Sequence, residues 1–313
     1  MSKSNPSLVT RHSSPARVEV VAAVITRPDG RFLLGQRPAG KVYAGYWEFP
    51  GGKIEPGEAA PAALARELRE ELGIEIGEPY PWITRVYTYP HGTVRLRFFR
   101  IHEWHGVPHP REDQAIAWQE AAAPMAAPML PANAPVLGAL ALPAEYAVTN
   151  AAQLGVAEML ARLAARLESG LRLLQIREPG LSGTERSLFT EQAIGLAHRF
   201  GCKVLTKTRF AGADGIHFTA AELMALAAKP QGLAAASCHT RAELERAMAL
   251  ELNFAVLGPV KDKSPPLGWE RFAEIAADCS IPVYAIGGLT RADLPAAWRA
   301  GAHGVAMIRG SWS

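Results

Sequence analysis

Residues 52–74 read GKIEPGEAAPAALARELREELGI. Glu67, Glu70 and Glu71 stand at i, i+3 and i+4, which a helix turning about 100° per residue brings to one face within one turn. Leu64, Leu68 and Leu72 recur at four-residue steps on another face, a pattern suited to burial against a sheet. Gly73 follows directly, the residue type that ends a helix in a left-handed cap. The stretch therefore predicts one amphipathic helix with an apolar side and a strongly acidic side.

Three carboxylates that close together repel unless something neutralises them. A hard divalent cation does so well, since Mg²⁺ takes oxygen ligands in octahedral geometry. Arg66 adds a planar cation able to orient one carboxylate. A solvated acidic face is the alternative, but it accounts poorly for three acids on one side and a glycine-rich turn leading in. Residues 52–74 also match the Nudix box, Gx5Ex7REUxEExGU with U aliphatic, at all nine specified positions. The resemblance implies hydrolysis of a nucleoside diphosphate linked to another group, with Mg²⁺ or Mn²⁺ carried on Glu67, Glu70 and Glu71. Glu58 and Arg66 become supporting residues.

Upstream, Val18–Ile25 and Arg31–Gln36 are apolar runs either side of Pro28-Asp29-Gly30, which predicts a hairpin. The run EFPGGKIE at 48–55 resembles MutT-like proteins. Carried over from that family, Arg37 contacts the substrate diphosphate, for which a guanidinium is suited. Phe49 lies near the base, and the Gly52 carbonyl contacts the metal. Downstream, 86–89 and 93–102 predict a second hairpin, with Arg95, Arg97 and Arg100 on a solvated strand face. His91, His102, His105 and His109 share no metal-ligand spacing. The loop HGVPHPREDQAIAW (105–118) carries Glu112 and Asp113. By resemblance, Glu112 is a further loop carboxylate at the metal, completing its shell or acting as a base. Residues 120–132 are rich in Ala and Pro and read as a linker. The run LPANAPV (130–136) resembles the PPANEPV of MutT-like proteins, where the asparagine, here Asn133, reads an oxidised guanine. An amide offers both donor and acceptor to a base edge. Asn133 is equally suited to cap a helix at 134–141.

Length and composition set the wider frame. With 313 residues, two domains of their own core are expected; 49% apolar and 20% charged residues are ordinary for a globular chain. A net charge of +3 makes no case for a nucleic-acid or membrane partner. Cys202, Cys238 and Cys279 form no CxxC pair, which fits a reducing compartment and excludes a zinc ribbon. Residues 1–15 are polar and read as a disordered tail. They hold no apolar leader core, and no later run reaches membrane-spanning length. The location expected is cytoplasmic.

From Tyr146 onward, short apolar strands alternate with amphipathic helical stretches. Strands are predicted at 145–150, 171–177, 203–207, 213–218, 233–238, 254–260, 282–287 and 304–308, a rhythm that implies a parallel (β/α)8 TIM barrel. Function in such barrels sits at the C-terminal strand ends, here Arg177, His239, Gly287, Gly288 and Arg309, with paired glycines able to cradle an anion. With DGIHF (214–218) and GAHGVAMI (301–308), this half resembles thiamine phosphate synthase and the TenI-like tautomerase. His239 sits where the tautomerase pattern has a proton-moving histidine. The synthase's QxRxK run appears as Gln175, Arg177 and Pro179, its Asn-Asp pair as Thr206-Lys207-Thr208, and its metal loop as Thr219-Ala220-Ala221-Glu222. The loop 261–266 is short. These departures imply a barrel without synthase activity.

The expectation is thus a two-domain α/β chain. Residues 16–142 form a Nudix α/β/α sandwich with a mixed sheet, and 143–313 form the barrel. The resemblance implies a Mg²⁺-dependent 8-oxo-dGTP diphosphatase serving nucleotide-pool sanitation in DNA repair and replication, with a phosphorylated thiamine precursor as the barrel's ligand. The alternative is a Nudix pyrophosphohydrolase of thiamine metabolism joined to a tautomerase or ligand-binding barrel.

Overall fold

The structure, a computed structural model, describes residues 17–112, 114–121, 123, 125–262 and 265–313. The tail expected over 1–15 lies outside these, as do Asp113 and two residues of the 261–266 loop. In chain order the first half contains β1 (Val18–Ile25), β2 (Phe32–Gln36), β3 (Trp47–Glu48), α1 (Ala60–Leu72), β4 (Glu75–Ile76) and β5 (Tyr80–Tyr89). β6 (Gly92–Ile101), β7 (Trp104–His105), β8 (Ile116–Gln119) and α2 (Ala134–Leu140) follow.

The central sheet has the order β1-β6-β5 and is mixed: β1 runs parallel to β6, from Val18 beside Val94 to Ile25 beside Ile101, and β6 runs antiparallel to β5. Alternation along β1 explains the sandwich. Val21, Ala23 and Ile25 pack with Leu64, Leu68 and Leu72 of α1, while Ala22 and Val24 face the other way, toward Val136 and Ala139 of α2. The three leucines are 0%, 0% and 1% exposed, each worth about 1.5–3 kcal/mol on burial. Gly73 takes the expected cap, φ +65°, and its N–H donates to the Arg69 carbonyl.

Three expectations need correction. The predicted first hairpin turns at Gly30, but only one bridge, Thr26 to Phe32, joins its arms. The reason is that both edges of β1 are occupied. β6 takes one, and on the other Val21 and Ala23 donate to the Gly52 and Pro50 carbonyls. β2 pairs instead with β3 and β8. Second, Arg100 is not on a solvated face: it is 6% exposed, its guanidinium donating to the Ala302 and His303 carbonyls at 2.7 and 2.8 Å. Third, the supposed linker is partly zipped into the domain. Leu130 donates to the Trp47 carbonyl, Met129 bridges to Trp47, and Leu130 and Ala132 are buried.

The second half contains β9 (Glu145–Val148), α3 (Ala151–Leu154), α4 (Val156–Glu168), β10 (Leu173–Ile176), α5 (Gly183–His198), β11 (Lys203–Thr206), β12 (Gly215–Phe218) and α6 (Ala220–Ala225). It continues with β13 (Leu233–Cys238), α7 (Arg241–Ala249), β14 (Phe254–Leu257), α8 (Gly268–Ala276), β15 (Val283–Ile286), α9 (Leu294–Arg299) and β16 (Gly304–Met307). Each strand lies within its predicted stretch, and β9 to β16 close into an all-parallel barrel. Its interior is filled by Tyr146, Leu173, Leu205, Ala235, Phe254, Val256, Tyr284 and Ala306, so it is a packed core rather than a pore. A 3₁₀ turn at Arg309–Ser311 stands where a final helix would begin, and Trp312 behind it is buried.

The Nudix-like half packs on the N-terminal ends of the barrel strands. Thr84 N–H donates to the Cys279 carbonyl just before β15, Arg95 pairs with Asp278 at 2.5 Å, and Arg299 at the end of α9 pairs with Glu78. Trp82 and Trp298 lie against the Arg100 guanidinium, 5.4 and 5.5 Å from its central carbon. No helix among the described residues is long and apolar enough to cross a membrane.

Candidate active site

The acidic side of α1 meets the turn that follows β3. Glu67 is seated against Gly52: a Cβ there would lie 2.2–2.4 Å from its carboxylate, so only glycine lets the two approach. Glu71 accepts the Gly51 N–H at 3.1 Å. Arg66 donates to Glu58 at 3.0 Å through two nitrogens, to Glu67 at 2.9 Å and to Glu70 at 3.3 Å. It therefore binds the acidic face together, and Glu58 is the buttress behind it. Glu70 is the outermost of the three, its side chain 55% exposed.

The loop carrying Glu112 is docked on the C-terminal end of α1. His109 N–H and Arg111 N–H donate to the Leu72 and Glu71 carbonyls, the Arg111 guanidinium to the Arg69 carbonyl, and the Gln114 amide to Glu71. These donors satisfy carbonyls that a helix end leaves unpaired, and they hold the loop beside the acids. The resulting cleft is lined by Arg37, Lys41, Glu48, Glu71, Glu112 and Gln114, with Phe49, Pro50 and Gly51 behind. Burial first, then the Glu48, Glu67 and Glu112 carboxylates, push the Glu71 carboxyl up to about 8, against the Gly51 N–H. Glu48 is likewise raised by burial, with Arg37 opposing.

The expected site residues are thus partly brought together. Glu71, Glu112, Arg37 and Phe49 line one cleft, with Glu67 and Gly52 in contact beside it. Arg37 is committed to Glu48, one nitrogen reaching both carboxylate oxygens at 2.6 and 2.8 Å, and its Nε to the Val42 carbonyl. Phe49 is 3% exposed and packs on Phe32 and Phe98. Asn133 does not line this cleft. It is 1% exposed, makes no side-chain cap to α2, and its Oδ1 has no partner among the described residues. Glu48, Lys41 and Gln114 escaped the sequence reading. Glu48 begins the very EFPGG run that was singled out, whereas Lys41 and Gln114 lie in loops with no periodic signal.

Among the described residues, no group of three His, Cys, Asp or Glu side chains converges as a ready-made metal cage. The donor chemistry nonetheless fits a hard cation. The donors are all oxygen, burial and then neighbouring carboxylates raise Glu71, and the Gly52 carbonyl spends one lone pair on Val21 N–H and keeps another.

In the barrel, Arg177, Gly287, Gly288 and Arg309 surround one cavity of about 600 Å³ at the C-terminal strand ends. Gly287 and Gly288 have φ of +112° and +65°, and Arg309 pairs with Asp262 at 3.2 Å. His239 is not among the lining residues; its Nδ1 donates to the Gly258 carbonyl at 2.7 Å. Glu222, in the synthase's metal-loop position, accepts Thr219 N–H in a helix capping box.

Comparison with known proteins agrees with this geometry. A NUDIX domain model matches residues 16–140, and a thiamine monophosphate synthase model matches 145–310, just over half the chain. An Escherichia coli CTP pyrophosphohydrolase is 45% identical over 130 residues, covering 39% of this chain and 90% of that protein. A Haemophilus influenzae 8-oxo-dGTP diphosphatase is 37% identical, covering 38% and 88%. A putative thiamine-phosphate synthase of Geobacter sulfurreducens is 32% identical, covering 52% and 84%. The first half is a Nudix hydrolase of the MutT type, an enzyme acting on phosphoric anhydrides. The chain as a whole belongs to two families, a NUDIX domain joined to a barrel of the thiamine monophosphate synthase family.

Proposed function

We propose that the cleft hydrolyses nucleoside triphosphates, 8-oxo-dGTP foremost, to the monophosphate and pyrophosphate, serving nucleotide-pool sanitation in the cytoplasm. The observation that carries this reading is the half-buried Glu71, which accepts the Gly51 N–H among Glu48, Glu67 and Glu112 at the glycine turn. Glu67, Glu70, Glu71, Glu112 and the Gly52 carbonyl are the groups to hold Mg²⁺ or Mn²⁺. When bound, such an ion neutralises charge on the phosphate oxygens. The chain's own residues do the rest. Arg66 fixes the carboxylates, Arg37 orients Glu48, and the Glu71 carboxylate, anchored through Oε2 by Gly51, takes the proton of the attacking water. Water oxygen bonds to phosphorus as the bond to the leaving phosphate oxygen breaks.

Asn133 lies outside the cleft, and its part in reading an oxidised purine rests on the resemblance of LPANAPV to MutT-like proteins. A buried, unpartnered Oδ1 wants an N–H, which 8-oxoguanine offers at N7 and guanine does not. The cytosine amino group is also a donor, and the 45% identity to a CTP pyrophosphohydrolase favours CTP as a second substrate. The barrel, whose metal-loop position holds a helix cap, binds a phosphorylated thiamine precursor without synthase turnover. Rates on 8-oxo-dGTP, dGTP, CTP, ADP-ribose and thiamine diphosphate, measured side by side with Mg²⁺, test the reading. A marked preference for thiamine diphosphate overturns it.

A further inference from the structure

Two loops close the Nudix cleft, one joining β2 to β3 and the other joining β7 to β8. Their tips meet in one ion pair, Lys41 Nζ to Glu112 Oε2 at 2.9 Å, with side chains 50% and 44% exposed. Behind it the cleft holds only about 30 Å³, roughly the space of a single water and far too little for a polyphosphate. Of the two cations lining the cleft, Arg37 is committed to both oxygens of Glu48 and to the Val42 carbonyl, and the Glu48 side chain is only 29% exposed. Among the described residues, Lys41 pairs with one carboxylate, that of Glu112.

Magnitudes decide which cation a substrate recruits. Opening a half-exposed pair such as Lys41–Glu112 costs little, because water screens both charges. Withdrawing Arg37 leaves a partly buried carboxylate without its partner and breaks a further hydrogen bond, to the Val42 carbonyl, a cost several times larger. We infer that Lys41 is the residue that recognises the polyphosphate tail, and that its pair with Glu112 is a strap the substrate exchanges: Lys41 turns to a terminal phosphate, and Glu112 is released toward Glu71. Arg37 is then a positioning residue for Glu48 rather than a phosphate contact. The inference rests on the hydrolase reading of this cleft and names a specificity determinant within it.

The test compares wild type, Lys41→Met and Lys41→Arg, all in the full chain. For turnover of a nucleoside triphosphate, Lys41→Met raises KM about tenfold with kcat nearly unchanged, and Lys41→Arg restores KM. For binding, titration with an α,β-methylene triphosphate analogue shows about tenfold weaker affinity in Lys41→Met, while affinity for the nucleoside monophosphate is unchanged. Equal triphosphate affinity in wild type and Lys41→Met overturns the inference. Wild type that binds the analogue but turns over no nucleotide counts against the hydrolase reading, and the binding comparison still decides the role of Lys41.

Discussion

The indole N–H of Trp82 donates to Nδ1 of His303 at 3.1 Å, joining residues 221 apart in sequence across the boundary between the two halves. Nε2 of the same ring donates to the Leu142 carbonyl at 3.0 Å. Each nitrogen is therefore used in the neutral tautomer, and protonation must break the bond from Trp82.

Burial, followed by the Arg100 guanidinium, lowers His303 from near 6.5 to about 3. The unfolded chain takes up this proton near pH 6.5, the folded chain only near pH 3, so stability falls as pH is lowered through that window and is flat above it. For His303 alone the loss at pH 5 is about 2 kcal/mol. Chemical denaturation between pH 7 and 4 should show His303→Gln with a shallower slope than wild type, by about one proton. Parallel slopes would contradict the assignment.

Among the described residues Arg100 pairs with no carboxylate; its guanidinium bonds carbonyls and lies over aromatic faces. Arg100→Ala strands the Ala302 carbonyl, leaves that of His303 with the Trp298 indole N–H alone, and should cost about 3 kcal/mol. Arg100→Lys should not restore it, because an ammonium cannot reach both carbonyls while stacking between two indoles. Urea unfolding of the three proteins measures this directly.

Adjacent glycines should behave differently. At Gly51, φ is +145° and an added Cβ meets the Val21 carbonyl at 2.2 Å, so Gly51→Ala should lose on the order of 2 kcal/mol of stability. At Gly52 the obstacle is the Glu67 carboxylate, which can swing away. Gly52→Ala should keep its melting temperature within a few degrees and lose roughly 100-fold in kcat by misplacing Glu67.

Glu71→Gln removes the carboxylate most strongly pressed by its neighbours. Turnover should fall roughly 100- to 10,000-fold, while the melting temperature in EDTA stays equal or rises as repulsion from Glu48, Glu67 and Glu112 is relieved. Near-normal turnover in this variant would remove Glu71 from the chemistry.

The elements legible in the sequence were those whose cause is local. α1 was announced by its leucine spacing and by Gly73, and the barrel strands by apolar runs between helical stretches. What stayed hidden was non-local. Nothing in Val18–Gln36 says that the free edge of β1 belongs to the Pro50–Gly52 carbonyls, so the adjacent runs looked like a hairpin. Arg100 stands out of phase with Arg95 and Arg97, on the other face of β6, but a charged residue on a strand reads as surface; its burial comes from a barrel encoded 200 residues later. Lys41 becomes visible only when two loops meet.

The contact between the halves involves the strand-start ends of the barrel, Asp278–Ser280 and Ala302–His303, whereas Arg177, Gly287 and Arg309 crown the opposite rim. The side chains that fill the barrel lie between that contact and the opposite rim. A product released by the Nudix cleft diffuses into bulk liquid and is diluted before the barrel meets it, so a scavenging enzyme added to the mixture should intercept all of it.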